Sequence, residues 1–263
     1  HTRQLMHPLR RQRQMYIRDS PYLGAQIAKE PENEFLWHLK IYAYSKERDL
    51  EGAVREASIA LVTVKDPARF LQSRGHWYTN LGLYEQSASD FTRAAQLRPD
   101  DKNVLYHYGL AHYLLGEYKR AEKIYLHALD TAASASESIS TTNWLWATLM
   151  HQGKEVEAKA LLDTVPADLR TDIMEKSGYD RLIMLYKQVL SPEQLGPKGN
   201  ECTLEDASFL YGLSNYYYYV EKNEAKSKET IDLILNTLPG PLQTCFGFQA
   251  AKTEMDRRAK YPM

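Results

Sequence analysis

Two consecutive stretches of 34 residues decide the fold of this chain. Residues 68–101 read ARFLQSRGHWYTNLGLYEQSASDFTRAAQLRPDD, and residues 102–135 read KNVLYHYGLAHYLLGEYKRAEKIYLHALDTAASA. Residues of the first stretch recur in the second at an offset of 34: Gly75, Gly82, Tyr84, Ser87, Phe91 and Ala94 correspond to Gly109, Gly116, Tyr118, Ala121, Tyr125 and Ala128. A fixed period of this length, with small and aromatic residues at fixed phases, predicts helical pairs that stack as repeats.

The order of these residues within each stretch resembles the tetratricopeptide repeat (TPR), a helix–turn–helix unit. Glycine stands at positions 8 and 15, Tyr at 17, Ala or Ser at 20, an aromatic at 24 and Ala at 27. The resemblance implies an all-α fold, a right-handed α-solenoid. In it, the first helix of each repeat (helix A) lines a concave face, and the second helix (helix B) lies away from that face.

The same register extends on both sides of the two stretches. A degenerate repeat precedes them at 34–67, where Ile41 and Arg48 replace the glycines of positions 8 and 15, so we expect looser packing there. A fourth repeat follows after a slip, with its helix A expected from Thr142 to Leu149. We also expect the helix before it to run on into Ala132–Ser136, because no proline ends it.

Four consecutive segments describe the expected organisation. They are a basic N-terminal tail with a leading helix (1–33), TPR-like repeats one to four (34–166), an irregular helical connector (167–200), and a degenerate TPR-like pair with a C-terminal capping helix (201–263). Within them we expect a short helix at Ala25–Lys29, preceded by a break at Pro21–Gly24. Further helices are expected at 181–190, 204–220, 226–238 and 246–260. We expect the segments to form one continuous solenoid domain.

Composition excludes some classes of partner. The 263 residues contain 33 Lys and Arg against 34 Asp and Glu, and this near-neutral balance argues against nucleic acid. No apolar run approaches the roughly 20 residues of a transmembrane helix. The chain begins with His1, and we expect either a cytoplasmic protein or one exported after removal of an upstream leader. Cys202 and Cys245 are the two cysteines, and the sequence leaves open whether they pair.

Much of residues 68–255 is also similar to a group of microbial TPR proteins with no assigned activity. The resembling segments are YHYGLAHYLLG (106–116), TNWL (142–145), YDR (179–181), YGLSN (211–215) and FGF (246–248). The chain departs from that group at Asp180, where we expect His, and at Lys222-Asn223, where we expect Gly-Asp. A more distant likeness, in architecture alone, is to bacterial repeat lipoproteins that serve as adaptors for envelope peptidases.

The concave positions that the resemblance implies carry aromatic and neutral polar side chains and few charges. Such a lining favours a peptide or protein partner, bound in the groove of a non-catalytic adaptor or scaffold. The candidate groove residues are His38, Tyr42, Arg69, Gln72, His76, Asn80, Tyr106, Tyr113 and Asn143, with Tyr179, Arg181, Tyr211 and Asn215 as secondary candidates. The alternative is that some of them are merely solvated, or contact a terminal segment of the chain itself.

Motifs for catalysis, metal or phosphate binding are not found in the sequence. There is no HExxH, no Cys–His ligand spacing and no glycine-rich phosphate loop, so we predict a protein that is not an enzyme and needs no cofactor or metal. The alternative is a small-molecule pocket or active site, with His38 or His76 as base and Tyr179 or Arg181 as a ligand contact. We expect His112 to be a hydrogen-bonded core residue.

Particular residues bear on two kinds of protein partner, a chaperone and a second copy of the chain. TPR proteins that bind chaperones clamp a C-terminal carboxylate with Lys, Asn and Arg. The positions that resemble this clamp hold His38, Tyr42, Ser73, Asn103 and His107, so its cations are absent and such a partner is not expected. Tyr216–Tyr219 covers most of a helical turn, and we expect it to form a seam between the last two repeats; the alternative is the interface of a structural homodimer.

Overall fold

The computed structural model describes residues 21–133, 135–166, 178–195, 204–238, 240 and 243–260, and within these ranges it contains helices and no strand. The helices in order are α1 (21–29), α2 (Glu34–Lys46), α3 (Leu50–Ala60), α4 (Ala68–Asn80), α5 (Tyr84–Leu97), α6 (Lys102–Leu114), α7 (Tyr118–Asp130), α8 (Ala135–His151), α9 (Glu155–Asp163), α10 (Tyr179–Tyr186), α11 (Pro192–Leu195), α12 (Leu204–Tyr219), α13 (Glu224–Thr237) and α14 (Phe246–Lys260). The prediction of an all-α helical-repeat fold is confirmed. The predicted basic tail (1–20) and Cys202 lie outside the described residues.

The chain divides after Pro99 into two compact units. Unit 1 contains α1–α5, and unit 2 contains α6–α14. The division falls two residues before the end of the first of the two stretches that define the register. One continuous domain, with the segment boundaries given above, stays a prediction.

A residue with left-handed backbone joins the two helices of each repeat. Gly82, Gly116 and Gly153 have φ of 76°, 77° and 71°. The N–H of the next residue donates to the carbonyl five residues earlier, as in Glu117 to His112 at 2.9 Å. Glycine suits this turn because a Cβ is strained at positive φ, and the bond satisfies a carbonyl at the helix end. In the degenerate repeat Arg48 adopts the same turn, with φ of 60°.

The glycine at position 8 makes room for the aromatic residue at position 24. A Cβ on Gly75 would lie 2.9 Å from the ring of Phe91, and a Cβ on Gly109 would collide with the ring of Tyr125. In repeat one the large side chain stands at position 8 and the small one at position 24.

In that repeat, Ile41 stands at position 8 and Ala57 at position 24, and both are buried in one apolar cluster with Trp37. The looser packing that we expected in this repeat stays a prediction. The large side chain has moved from helix B to helix A, and the volume of the seam is conserved.

Several helix boundaries differ from those expected from the sequence. Helix α7 ends at Asp130 and does not run on, and α8 begins at Ala135, before the expected Thr142. No Gly or Pro lies between Ala135 and His151, so nothing interrupts α8. Helix α10 ends at Tyr186 because Gln188 has φ of 58°. Helix α1 includes residues 21–24, which were expected to break it.

The later helices agree with the sequence. The closing helix α14 spans Phe246–Lys260 as expected, and α12 and α13 lie within one or two residues of the expected ranges. Helix α12 packs against both α13 and α14, and α10 packs against α8. These contacts bring the C-terminal part of unit 2 onto its first helices, which determines the environment of several candidate residues.

Candidate functional site

The candidate residues of unit 1 lie on its two A helices, α2 and α4. Tyr42 and Arg69 are exposed, and the others are half-buried: His38, Gln72, His76 and Asn80. Helix α2 buries Trp37 and Ile41 in the core, which leaves the side of the helix that carries Tyr42 at the surface. We call the surface formed by Phe35, His38, Leu39, Tyr42 and Arg69 the α2 face.

His38 is held in place by an aromatic contact within unit 1. Its ring stacks on that of Phe70, with the centroids 4.3 Å apart and the planes at 15°. Burial lowers the pKa of His38, and the positive charge of Arg69 lowers it further, against the opposing effect of Glu34. The imidazole is therefore neutral near pH 7. His76, on α4, packs edge-on against Trp77 with centroids 4.6 Å apart.

Ion pairs support the A helices of unit 1 from the side of helix B. Arg74 makes two 2.7 Å bonds to the carboxylate of Asp90, and it also donates to the hydroxyl of Ser58 at 2.9 Å. Lys40 pairs with Glu56 at 2.8 Å. Because these two cations of α2 and α4 are engaged with α3 and α5, Arg69 and Lys46 supply positive charge at the surface of the A helices.

In unit 2 most of the candidate groove residues are buried. This corrects the expectation that they line an open groove. Tyr113 is completely buried, and its hydroxyl lies 2.6 Å from that of Tyr211 on α12 and 2.9 Å from Nε2 of His151 on α8. Nδ1 of His151 lies 2.8 Å from the hydroxyl of Tyr219. The physical reason is that helices of the same unit, α8 and α12, cover this side of α6.

Asn143 and Asn215 are also buried, which removes them from an open groove. Asn143 accepts a hydrogen bond from the hydroxyl of Tyr186 at 3.1 Å. The ring of Tyr186 stacks on Trp146, with the centroids 3.6 Å apart. These contacts fix α10 against α8, so Asn143 holds the interior of unit 2 together.

Tyr106 and Tyr179, which lie 73 residues apart in sequence, meet beside Trp144. The indole Nε1 of Trp144 donates to the hydroxyl of Tyr106 at 3.0 Å and to that of Tyr179 at 3.2 Å. Burial raises the pKa of Tyr106 well above its usual value, so its hydroxyl stays protonated. The structure therefore brings one primary and one secondary candidate into a single site.

A cleft of about 360 Å³ opens beside these two tyrosines. The residues that line it belong to α6, α7, α8, α10 and the connection after α7: Lys102, Asn103, Tyr106, His107, Ala128, Ala132, Ser140, Thr141 and Tyr179. The sequence reasoning missed Lys102, Ser140 and Thr141. Lys102 stands at repeat position 1, outside the usual concave positions, and the two hydroxyl residues precede the start that we expected for α8.

The remaining candidates contact other side chains of unit 2. Arg181 is half-buried, with its guanidinium 5.0 Å from the ring centroid of Phe209. Tyr216 is buried and Tyr219 bonds to His151, as expected of a seam, whereas Tyr217 and Tyr218 are half-buried. His112 is buried, and its Nδ1 lies 2.7 Å from Glu117, which confirms the prediction of a hydrogen-bonded core histidine.

Three further features concern metal binding, membrane spanning and the cysteine in the described part of the chain. No group of three or more His, Cys, Asp or Glu side chains able to hold a metal ion occurs there. No helix in the same ranges combines the length and the apolar character that crossing a membrane requires. Cys245 is a half-buried free thiol, and burial raises its pKa.

Comparison with models of protein families agrees with the repeat register. The family model of the tetratricopeptide repeat matches residues 68–101 and 103–134. A solved structure, the crystal structure of the P58(IPK) TPR domain, is similar at 15% sequence identity and a TM-score of 0.36, over 98% of this chain and 67% of that one. The comparison with curated proteins gives no match. Repeats of this family generally mediate interactions between proteins, and their fold is typically non-catalytic. The chain therefore contains tetratricopeptide repeats, at residues 68–101 and 103–134.

Proposed function

We propose that this protein is a non-catalytic adaptor that binds an amphipathic helical segment of a protein partner on the α2 face. The observation that carries the proposal is a stripe of exposed apolar side chains along α2. Phe35, Leu39 and Tyr42 are 67%, 38% and 48% exposed, and they follow one another at helical spacing. The opposite side of the same helix packs Trp37 and Ile41 into the core. A helix that is apolar on two sides is typical of one that packs on both.

The buried counterparts in unit 2 support this interpretation. On α6, position 9 holds Leu110 and position 12 holds Tyr113, and both side chains are completely buried. Helices of unit 2 itself supply the groups that Tyr113 contacts there. The corresponding position 9 of repeat one is Tyr42, which remains exposed. In unit 2 the apolar face of an A helix thus packs against helices of the same chain. We propose that the α2 face packs against a helix of another protein.

The chemistry of the α2 face indicates how the partner is held. Phe35, Leu39 and Tyr42 span about 10 Å of helix axis at 1.5 Å per residue, so a partner helix that lies along α2 can place apolar side chains against all three. The ring of His38 is stacked and neutral, and Lys46 lies 4.8 Å from the ring centroid of Tyr42. Because these rings are already held, little side-chain freedom is lost on binding.

The test begins with selection of a binder against the intact chain from a display library of amphipathic helices. The affinity of a selected peptide is then measured by isothermal titration calorimetry for the Phe35→Ala/Tyr42→Ala variant. We expect a loss of about ten-fold or more, because truncation of central aromatic anchors commonly costs at least about 1–2 kcal/mol.

The matched control is Val62→Ala/Val156→Ala, which removes two exposed apolar side chains elsewhere. It should bind the peptide as tightly as the unaltered chain does. Circular dichroism confirms that both variants fold. Equal affinity of the two variants would overturn the proposal, as would selected peptides that compete for another surface.

A further inference from the structure

The cleft beside Tyr106 and Tyr179 lies in unit 2 and shares no residue with the α2 face. Its volume of about 360 Å³ falls within the range of small-molecule sites, roughly 300–1,000 Å³. The wall combines aromatic rings, two alanines that leave space, and several hydrogen-bonding side chains. Such a combination of apolar area and a few convergent polar groups is typical of a ligand site.

The aromatic wall is rigid without any ligand. Trp144 is almost completely buried, and its N–H holds the hydroxyls of Tyr106 and Tyr179 at 3.0 and 3.2 Å. The two hydroxyls are 3.5 Å from each other. A planar ligand that packs against these rings would therefore meet side chains whose positions are already fixed.

The charge of the cleft comes from one lining residue. Nδ1 of His107 lies 2.8 Å from the carbonyl oxygen of Asn103, which can only accept, so Nδ1 carries the proton and donates. Burial lowers the pKa of His107, and the ring is neutral near pH 7. Among the described residues that line the cleft, Lys102 is thus the one charged group. An ammonium has three N–H donors, so Lys102 can contact an anion and keep its other interactions.

We propose that this cleft binds a small planar monoanion of the aromatic carboxylate class. Lys102 pairs with the carboxylate, and the ring of the ligand packs against Tyr106 and Tyr179. Asn103, Ser140 and Thr141 supply hydrogen bonds at the edge of the cleft.

The experiment uses the intact chain and two probes that differ in charge. Binding of para-fluorobenzoate is followed by fluorine NMR titration, and para-fluorobenzamide serves as the neutral match. We expect saturable binding of the benzoate, weaker binding of the amide, and displacement of the benzoate by other aromatic carboxylates.

Two variants locate the site. Lys102→Met should weaken benzoate binding by about three- to five-fold, as expected for the loss of a partly exposed ion pair, and should reduce the preference for the benzoate over the amide. Ala132→Trp should abolish binding of both probes, because the indole fills the cleft. Lys119→Met, at an exposed lysine of α7, is the matched control and should change nothing.

Three results would overturn the proposal. They are the absence of saturable benzoate binding, equal affinity for the two probes, and unchanged binding in Ala132→Trp when circular dichroism shows that this variant is folded. A failure of peptide binding on the α2 face would not affect these measurements, because the probes and the variants concern a different surface.

Discussion

Nε2 of His151, on α8, lies 2.9 Å from the hydroxyl of Tyr113, on α6. The same imidazole contacts the hydroxyl of Tyr219, on α12, through Nδ1 at 2.8 Å. One neutral histidine therefore links three helices of unit 2, acting as donor at one nitrogen and as acceptor at the other. Glu254, on α14, lies 3.6 Å from the same ring, so a fourth helix meets the others at this point.

Replacing His151 with Leu should destabilise the protein strongly. The hydroxyls of Tyr113 and Tyr219 would each lose a buried partner, and we expect the free energy of unfolding to fall by about 2–5 kcal/mol. Urea denaturation followed by circular dichroism measures the loss. The matched control is His127→Leu on α7, where the side chain is half-exposed and the expected change is within about 0.5 kcal/mol. Equal stability of the two variants would show that the hydrogen bonds of His151 contribute little.

Acid should destabilise the folded chain through this histidine. Burial lowers the pKa of His151 below its ordinary value of 6.5, with the charge of Arg258 acting in the same direction and Glu254 in the opposite one. Below pH 6.5 the unfolded chain therefore binds a proton that the folded chain does not. The stabilisation is complete above that pH and is lost as the pH falls, by up to about 1.4 kcal/mol per pH unit.

Urea midpoints measured between about pH 7 and about pH 5 test this dependence, which starts at the ordinary histidine pKa. His38, His107 and His112 also have lowered pKa values caused mainly by burial, so the slope reports their sum. The His151→Leu variant should show a shallower slope than the unaltered chain. A midpoint that rises on acidification would contradict the assignment.

Gly109→Ala should destabilise unit 2, although alanine is the better helix former. The new Cβ would overlap the ring of Tyr125, and we expect a cost of about 1–3 kcal/mol from overpacking. Gly24→Ala in α1 is the matched control. Apart from the neighbouring residues of its own helix, no atom in the described part of the chain lies within 4 Å of its added Cβ, and we expect a gain of about 0.5–1 kcal/mol. Thermal denaturation of the two variants should give shifts of opposite sign; a shift of the same sign would refute the steric explanation.

Asp90→Asn should remove more stability than the loss of an exposed ion pair does. Asp90 is buried and receives two bonds from Arg74, and breaking such a pair leaves an uncompensated charge at a cost of about 3–5 kcal/mol. In the control Glu32→Gln, the side chain of Glu32 is 61% exposed and that of its partner Lys65 is 81% exposed, so we expect no measurable change in stability. Denaturant titration compares the two. A loss for Asp90→Asn as small as that of the control would mean that water reaches Arg74.

The repeat register could be predicted from the sequence because its determinants are local. The turn glycines Gly82 and Gly116 follow from the strain of a Cβ at positive φ, and the pairing of Gly75 with Phe91 follows from the close approach of two helices adjacent in the chain. Where other residues replace the glycines, as at Arg48 and Ile41, the glycine pattern no longer predicts the turn or the packing. Arg48 shows that a residue other than glycine can take the turn, and Ile41 is accommodated by the small Ala57 on the partner helix.

The candidate site was less predictable because it depends on contacts distant in sequence. Tyr42 and Tyr113 both stand at usual concave positions of helix A, and their surroundings in the sequence do not distinguish them. Tyr113 meets Tyr211 across 98 residues, and Tyr106 meets Tyr179 across 73. Lys102 could not be identified as a cleft residue until α6, α8 and α10 were placed together.

By itself, the sequence determined the 34-residue period, the helical hairpins and the turn residues, since each depends on backbone geometry and on side chains within one repeat. The tertiary structure alone decided which aromatic side chains are interior. In unit 2 the side of α6 that carries Tyr113 is buried against helices of the same unit, whereas the apolar stripe of α2 remains exposed. The physical reason is that burial is a property of the surface which packs against a residue, and for these tyrosines that surface comes from remote parts of the chain.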